Sequence, residues 1–235
     1  QESANGWSYQ MHASFIEIYN EQVRDLLCSS TEEEGKKHQI TQGENGRNDV
    51  TDTVTVPVLT HDDVTEIMTV AQGNRSTAKT DMNEHSSRSH TVFSLRITAT
   101  RSTVGQTQTL HGTLHLVDLA GSERLARSHA TGDRLKETQS INKSLSALSD
   151  VFQAISKKQA HVPYRNSKLT HLLQPCLSGD GKALVICNLS PVEESAPESL
   201  CTLRFAHLVG SCELGKATKH VATTGNGNSA ANTSV

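Results

Sequence analysis

The feature that most constrains the fold is an apolar stripe between residues 134 and 158. Ile141, Leu145, Leu148, Phe152 and Ile155 recur at i, i+4, i+7, i+11 and i+14. That spacing puts all five on one face of a long helix, which must be covered. The partners are set by what flanks it. Upstream, "TVFSLRITA" (91–99) alternates Phe93, Leu95 and Ile97 inward with Ser94, Arg96 and Thr98 outward, the pattern of a half-buried strand. After a polar turn, "LHGTLHLVDLAG" (110–121) reads as the returning strand. Downstream, "KALVICNLS" (182–190) is a continuous apolar run, as expected of a buried central strand. Helices alternating with strands imply an α/β fold with a mixed central sheet flanked by helices.

The remaining elements fit that frame. "HASFIEIYN" (12–20) reads as a strand, and "EQVRDLL" after it as a helical or short turn. Residues 29–49 form a polar, exposed loop, and "VTDTVTVPVLT" (50–60) alternates like an edge hairpin, with Pro57 favouring the edge. Thr60 with Asp63 three residues on predicts a helix start, and Gly73 its stop. Two shorter helices are expected at 167–177 and 195–210. After Gly215 the composition predicts disorder, so residues 1–210 form the folded unit and 211–235 a tail.

At 235 residues, 34% hydrophobic and 20% charged, the chain supports a full core and lacks any apolar run long enough for a membrane helix. Its first residues do not read as a signal peptide and include no initiator methionine, so the chain is expected to begin inside a longer protein or to have been trimmed. Five cysteines without CxxC spacing point to a reducing compartment, and the scattered histidines argue against zinc. Charge is unevenly placed. Residues 124–171 hold nine Lys/Arg against three acids, whereas residues 1–50 hold four against nine. This suggests a face for an acidic partner, the alternative being a solvated mixed surface.

Two stretches carry chemistry. In "LVDLAGSE" (116–123) an apolar strand ends in Asp118, with Gly121 three residues later. An aspartate at a strand's C-terminal end can hold Mg²⁺, and a following glycine lets a backbone N–H approach a phosphate. The same Asp could simply cap a turn. In "NEHSSRSH" (83–90) small hydroxyls suit Mg²⁺ or phosphate oxygens, and Arg88 suits a carboxylate or phosphate. The alternative is a Ser-rich loop with a solvated arginine. Ser–His nucleophilic catalysis is disfavoured, because no G-x-S-x-G elbow and no orienting acid accompany Ser89 and His90.

Taken in order, "SFIEIYNEQVRDLL", "NEHSSRSH", "LVDLAGSER", "INKSLSAL", "HVPYRNSKLTHLL" and "LRFAHLV" resemble the kinesin motor domain over residues 9 to 210. "TGDRLKETQSINKSLSALSDVFQAI" and "LRFAHLVGSCELG" look most like the C-terminal-motor, minus-end-directed kinesins. The resemblance implies a kinesin/myosin-type P-loop NTPase fold and an ATP-hydrolysing microtubule motor of the cytoplasmic cytoskeleton and spindle. It also implies a dimer formed through a coiled coil upstream. In that reading Asn83 to His90 is the first switch. Ser87 ligates Mg²⁺, Asp118 holds a Mg²⁺-bound water, Ser86 positions the γ-phosphate and attacking water, and the Gly121 N–H senses the γ-phosphate. Arg88 and Glu123 form a latch that closes with ATP, and Asn142 lies beside the site. Arg124, Arg127, Lys143, Arg165 and Lys168 face tubulin. His171 and Ser149 depart from residues frequent in the family.

The phosphate loop G-x-x-x-x-G-K-[ST] is missing from the sequence. "GSCELGKA" (210–217) is a near miss, following a helix and ending in Ala217, which lacks the hydroxyl. The chain is therefore expected to be the later part of a motor lacking its P-loop, and to fold poorly alone. A non-catalytic, filament-binding module is the alternative.

Overall fold

The computed structural model describes residues 6–43, 46–77, 88–122, 133–179, 181–215 and 221–225. The first hairpin joins β1 (Ser8–Tyr19) to β2 (Gln22–Asp25). Asn20 and Glu21 both take positive φ (50° and 57°), the backbone of a tight two-residue turn whose twist matches the strands. "EQVRDLL" is thus the returning strand of a hairpin rather than a helical turn. Within the polar stretch 29–49 lie a one-turn helix α1 (Ser30–Glu33) and β3 (Ile40–Gln42), which pairs with β4 (Asn48–Val50). The two-stranded β3–β4 sheet is tied to the main sheet by the Arg96–Asp49 ion pair at 2.7 Å. The expected 50–60 hairpin is replaced by β5 (Val56–Pro57), a two-residue edge piece on β1.

Helix α2 spans His61–Thr77. Its start is as expected: Thr60 Oγ1 accepts from the Asp63 N–H (3.3 Å), and Asp63 accepts from the Leu59 and Thr60 N–H groups (2.7 Å each). Its end is not, because the helix runs through Gly73 and adds a turn carrying Asn74 and Arg75. A lone glycine costs a helix only about 1 kcal/mol, less than packing can return.

The long antiparallel pair β6 (His90–Thr103) and β7 (Gln106–Asp118) forms the middle of the sheet, turning at Val104–Gly105. The sheet runs β2-β1-β6-β7-β8, with β8 (Val221–Gly225) on the hairpin end of β7. Part of the segment expected to be disordered is therefore a strand. Every strand pairing among the described residues is antiparallel, not mixed.

Two apolar layers sandwich this sheet. On one face Ala13, Val58, Ile67 and Phe93 pack with Phe15 and Leu95 under α2, and the Phe15 and Phe93 rings meet edge-on at 5.8 Å. On the other, Ile16, Ile18 and Val92 pack against α3 (Asp133–Ser156) and α4 (Lys168–Leu173) through Leu148, Val151, Phe152, Leu169 and Leu172. Strand β6 is accordingly buried on both faces from His90 to Ser94, not half-buried as the alternation implied.

Helix α5 (Ala196–Gly210) leans on α3 through Phe205, which meets Phe152 edge-on at 5.8 Å. The run 182–190, expected to be a buried central strand, is not a strand, and Leu184 and Ile186 are 88% and 78% exposed. Apolar content alone does not make a strand. The backbone needs a ladder partner, and none of the described residues provides one.

Candidate functional site

β6 and β7 end side by side, Thr91 opposite Asp118, so both chemistry-bearing stretches meet at one end of the sheet. Alternation along β6 then sends consecutive side chains to opposite faces. Ser89, 1% exposed, points to the α2 side: its hydroxyl donates to Glu17 Oε1 of β1 (2.6 Å) and accepts from Arg75 Nη2 of α2 (2.9 Å). Arg75 Nε also donates to Glu17 Oε1 (3.2 Å), closing a three-membered network. A buried carboxylate held by a guanidinium and a hydroxyl is satisfied in place.

His90, 3% exposed, turns to the α3 side. Its Nδ1 accepts from the Ala120 N–H (3.0 Å), and its Nε2 lies 2.7 Å from Ser144 Oγ on α3. Ser144 Oγ in turn donates to the Ile141 carbonyl (2.7 Å). A backbone N–H can only donate, so Nδ1 carries no proton and Nε2–H donates to Ser144. Burial pushes the His90 pKa down to about 4, keeping the ring neutral.

Asp118 is the last residue of β7 and is exposed, its carboxylate open to a partner; Gly121 follows three residues on. Arg88 is half-buried. It lines a small pocket with Asn20 and Glu21 of the β1–β2 turn, His90, and Ser140, Ile141 and Ser144 of α3. Glu21 also accepts from the Lys168 N–H (2.9 Å), linking the turn to α4. Asn142 is half-buried on the first described turns of α3. Asn83, Ser86, Ser87 and Glu123 lie outside the described residues, as do Arg124 and Arg127.

Among the basic candidates, Lys143 is exposed on α3, Arg165 is exposed in a single turn of 3₁₀ helix, and Lys168 opens α4. The elements bearing them pack on one another through Leu148, Leu169 and Tyr164. Burial, and after it the charges of Arg165 and Lys168, push the His171 pKa down. The asparagine amide of Asn48 donates to the His171 carbonyl, so His171 is anchored by its backbone.

Asp118 suits a hard, oxygen-preferring divalent cation such as Mg²⁺. Gly210, which opens the near-miss glycine run, is the last residue of α5, so that run follows a helix and is no phosphate loop.

Sequence reasoning missed Glu17, Arg75 and Ser144, and with them the partners of Ser89 and His90. The signal for Ser144 was present: it interrupts the apolar row of α3 at i+3 from Ile141. Arg75 lies beyond Gly73, which reads in sequence as a helix stop.

The kinesin motor domain family model matches residues 1–212. The chain is 52% identical over 224 residues to "Kinesin-like protein KIN-14D" of Arabidopsis thaliana, covering 91% of this chain but 28% of that protein. Against the motor domain of the kinesin-like protein Kar3 of Saccharomyces cerevisiae the TM-score is 0.73 at 43% identity, covering 88% of this chain and 61% of the other. Against a KIF14 dimer with AMP-PNP in complex with a microtubule it is 0.80 at 34% identity, covering 92% and 61%. The chain thus spans under two thirds of each of these proteins.

Proposed function

The chain belongs to the kinesin motor-domain family, and on that premise we propose that it is the later part of a microtubule motor that couples ATP hydrolysis to filament binding. The observation that carries this reading is the meeting of three parts at one end of the sheet. The end of the hydroxyl-rich stretch, the Asp118–Gly121 loop and the middle of α3 all converge on His90. Two loops able to address one phosphate are thereby joined to the element that bears the basic face.

In this reading Ser87 would hold Mg²⁺ and Asp118 a Mg²⁺-bound water, and Ser86 and the Gly121 N–H would contact the γ-phosphate. Asn83 and Asn142 line the nucleotide site. Bound Mg²⁺ supplies neutralisation of phosphate charge. Arg88 and Glu123 pair when both loops close, orienting the attacking water; positioning and charge are sufficient for phosphoryl transfer. Both loops lose a ligand once the γ-phosphate leaves, and α3, a 24-residue helix packed on the core, passes that change on as a two-state shift. Arg124, Arg127, Lys143, Arg165 and Lys168 meet the acidic filament. The phosphate loop, and a coiled coil that makes a dimer, belong to sequence preceding residue 1. Cytoplasmic microtubules, the spindle included, are the place of action.

Two experiments on the full-length gene product test this. Glu123→Ala is expected to abolish microtubule-stimulated ATP turnover; turnover equal to wild type would remove the latch. Reversing Arg165 and Lys168 together to glutamate is expected to weaken co-sedimentation with microtubules, most at low salt. Unaltered co-sedimentation would end the assignment of the basic face.

A further inference from the structure

His90 closes the stretch read above as the first switch but is assigned no contact to nucleotide, metal or filament, and it bonds both the Asp118–Gly121 loop and α3. The geometry allows little freedom. Nδ1 is committed to the Ala120 N–H, two residues beyond Asp118 and one before Gly121. Nε2–H is committed to Ser144 Oγ, whose own proton goes to the Ile141 carbonyl. The chain of bonds runs in one direction, from the loop's backbone through the imidazole into the helix. All four residues of this chain of bonds lie in the core: Ala120, His90, Ser144 and Ile141 are each buried.

The neighbouring residue fixes the ring's base. Ser89 is tied to Glu17 and Arg75 on the opposite face of the sheet. The imidazole therefore extends from a backbone pinned on its other side. A displacement of the Ala120 N–H must break the bond to Nδ1 or tilt the ring against Ser144. A rigid donor–acceptor bar between two elements transmits a shift where a flexible chain would absorb it.

We propose that His90 is a positioning residue that couples the Asp118–Gly121 loop to helix α3, through Ala120 N–H on one side and Ser144 Oγ on the other. This rests on the motor reading. It adds that filament contact at α3 is reported back to the nucleotide loop by this one path, so that cutting it separates stimulated from basal turnover. His90 touches no substrate in this scheme and acts only through the two elements it joins.

The test is a double-variant cycle in the full-length gene product, reading the ratio of microtubule-stimulated to basal ATP turnover. His90→Asn keeps an acceptor near the Nδ1 position but is too short for Ser144. Ser144→Ala removes the same bond from the helix side, with a residue that helices favour. Each single variant is expected to lower the ratio about tenfold, the weight of one buried hydrogen bond, and the double variant to lower it no further. The KM for ATP is expected to stay within about twofold, because no nucleotide contact is touched.

The inference is overturned if Ser144→Ala keeps the wild-type ratio, or if the single effects multiply in the double variant. Ser144→Ala decides the matter by itself should His90→Asn not fold. Absence of any ATP turnover in the wild type would bring down the motor reading together with this inference. Stimulated wild-type turnover with undiminished variants would overturn the inference alone.

Discussion

The two sides of the sheet contain similar residues and end in opposite states. On the β1–β6 side, Ile18, Val92, Val151 and Leu169 are sealed between sheet and helices. On the β7 side, Leu114 and Leu116 are 49% and 52% exposed, although their cross-strand partners Leu95 and Phe93 pack under α2. Leu184, Ile186, Leu200 and Leu203 are exposed as well. The difference is coverage, not composition. α2 reaches Phe93 and Leu95 and stops there, and no described element lies over the next strand. Exposed apolar residues in such number are a surface for further protein. They support the proposal that the remaining part of a motor packs on this side.

Substitutions can separate the two sides. The largest expected effect is on the sealed side: Leu169→Ala in the full-length gene product should cost about 2–5 kcal/mol, measured by urea unfolding. If the open side is covered in the full-length protein, Leu184→Ala should cost a similar amount there. A loss below about 0.5 kcal/mol at Leu184, the size of an ordinary surface change, would show that the face stays open and break the proposal. The 235-residue chain by itself should melt without a sharp cooperative transition, and a sharp one would count against the same idea.

A smaller effect concerns acid. His90 and His115 lie on the α3 face, and burial lowers both pKa values to about 4; at His115 the charge of Arg96 adds to burial. The unfolded chain binds protons near pH 6.5 that the folded chain refuses. Stability from these groups is complete above that pH and falls as the pH drops toward about 4. Thermal melts of the full-length protein between pH 7 and pH 5 should show the loss, and His115→Asn should reduce it. An unchanged pH slope in that variant would mean that His115 titrates normally.

The smallest effect is at the α2 cap, where Thr60→Ala should cost about 1 kcal/mol, with no effect on the exposed β7 face.

Legibility in the sequence followed the range of the forces involved. The stripe from Ile141 to Ile155 and the Thr60–Asp63 cap were readable because their partners lie within a few residues. The resemblance also pointed to the meeting of the end of "NEHSSRSH" with "LVDLAG", which His90 and Ala120 make. The end of α2 was not readable, because Gly73 looks like a stop until Arg75 finds Glu17 across 58 residues. Likewise His90 offered no pattern: its partners are a backbone amide 30 residues on and a serine 54 residues on.

By itself the sequence determined the elements that local pattern can specify, the family to which the chain belongs, and the order of the motifs. It also carried the basic segment in plain counts of charge. Only the tertiary structure decided which apolar residues are covered. It made Leu169 core and left Leu184 bare, and it turned His90 from a surplus histidine into a link between loop and helix. The physical reason is the same in both cases. Burial and directional hydrogen bonding depend on what lies opposite a side chain, and what lies opposite is set by sheet register and helix packing, which join residues far apart in the chain.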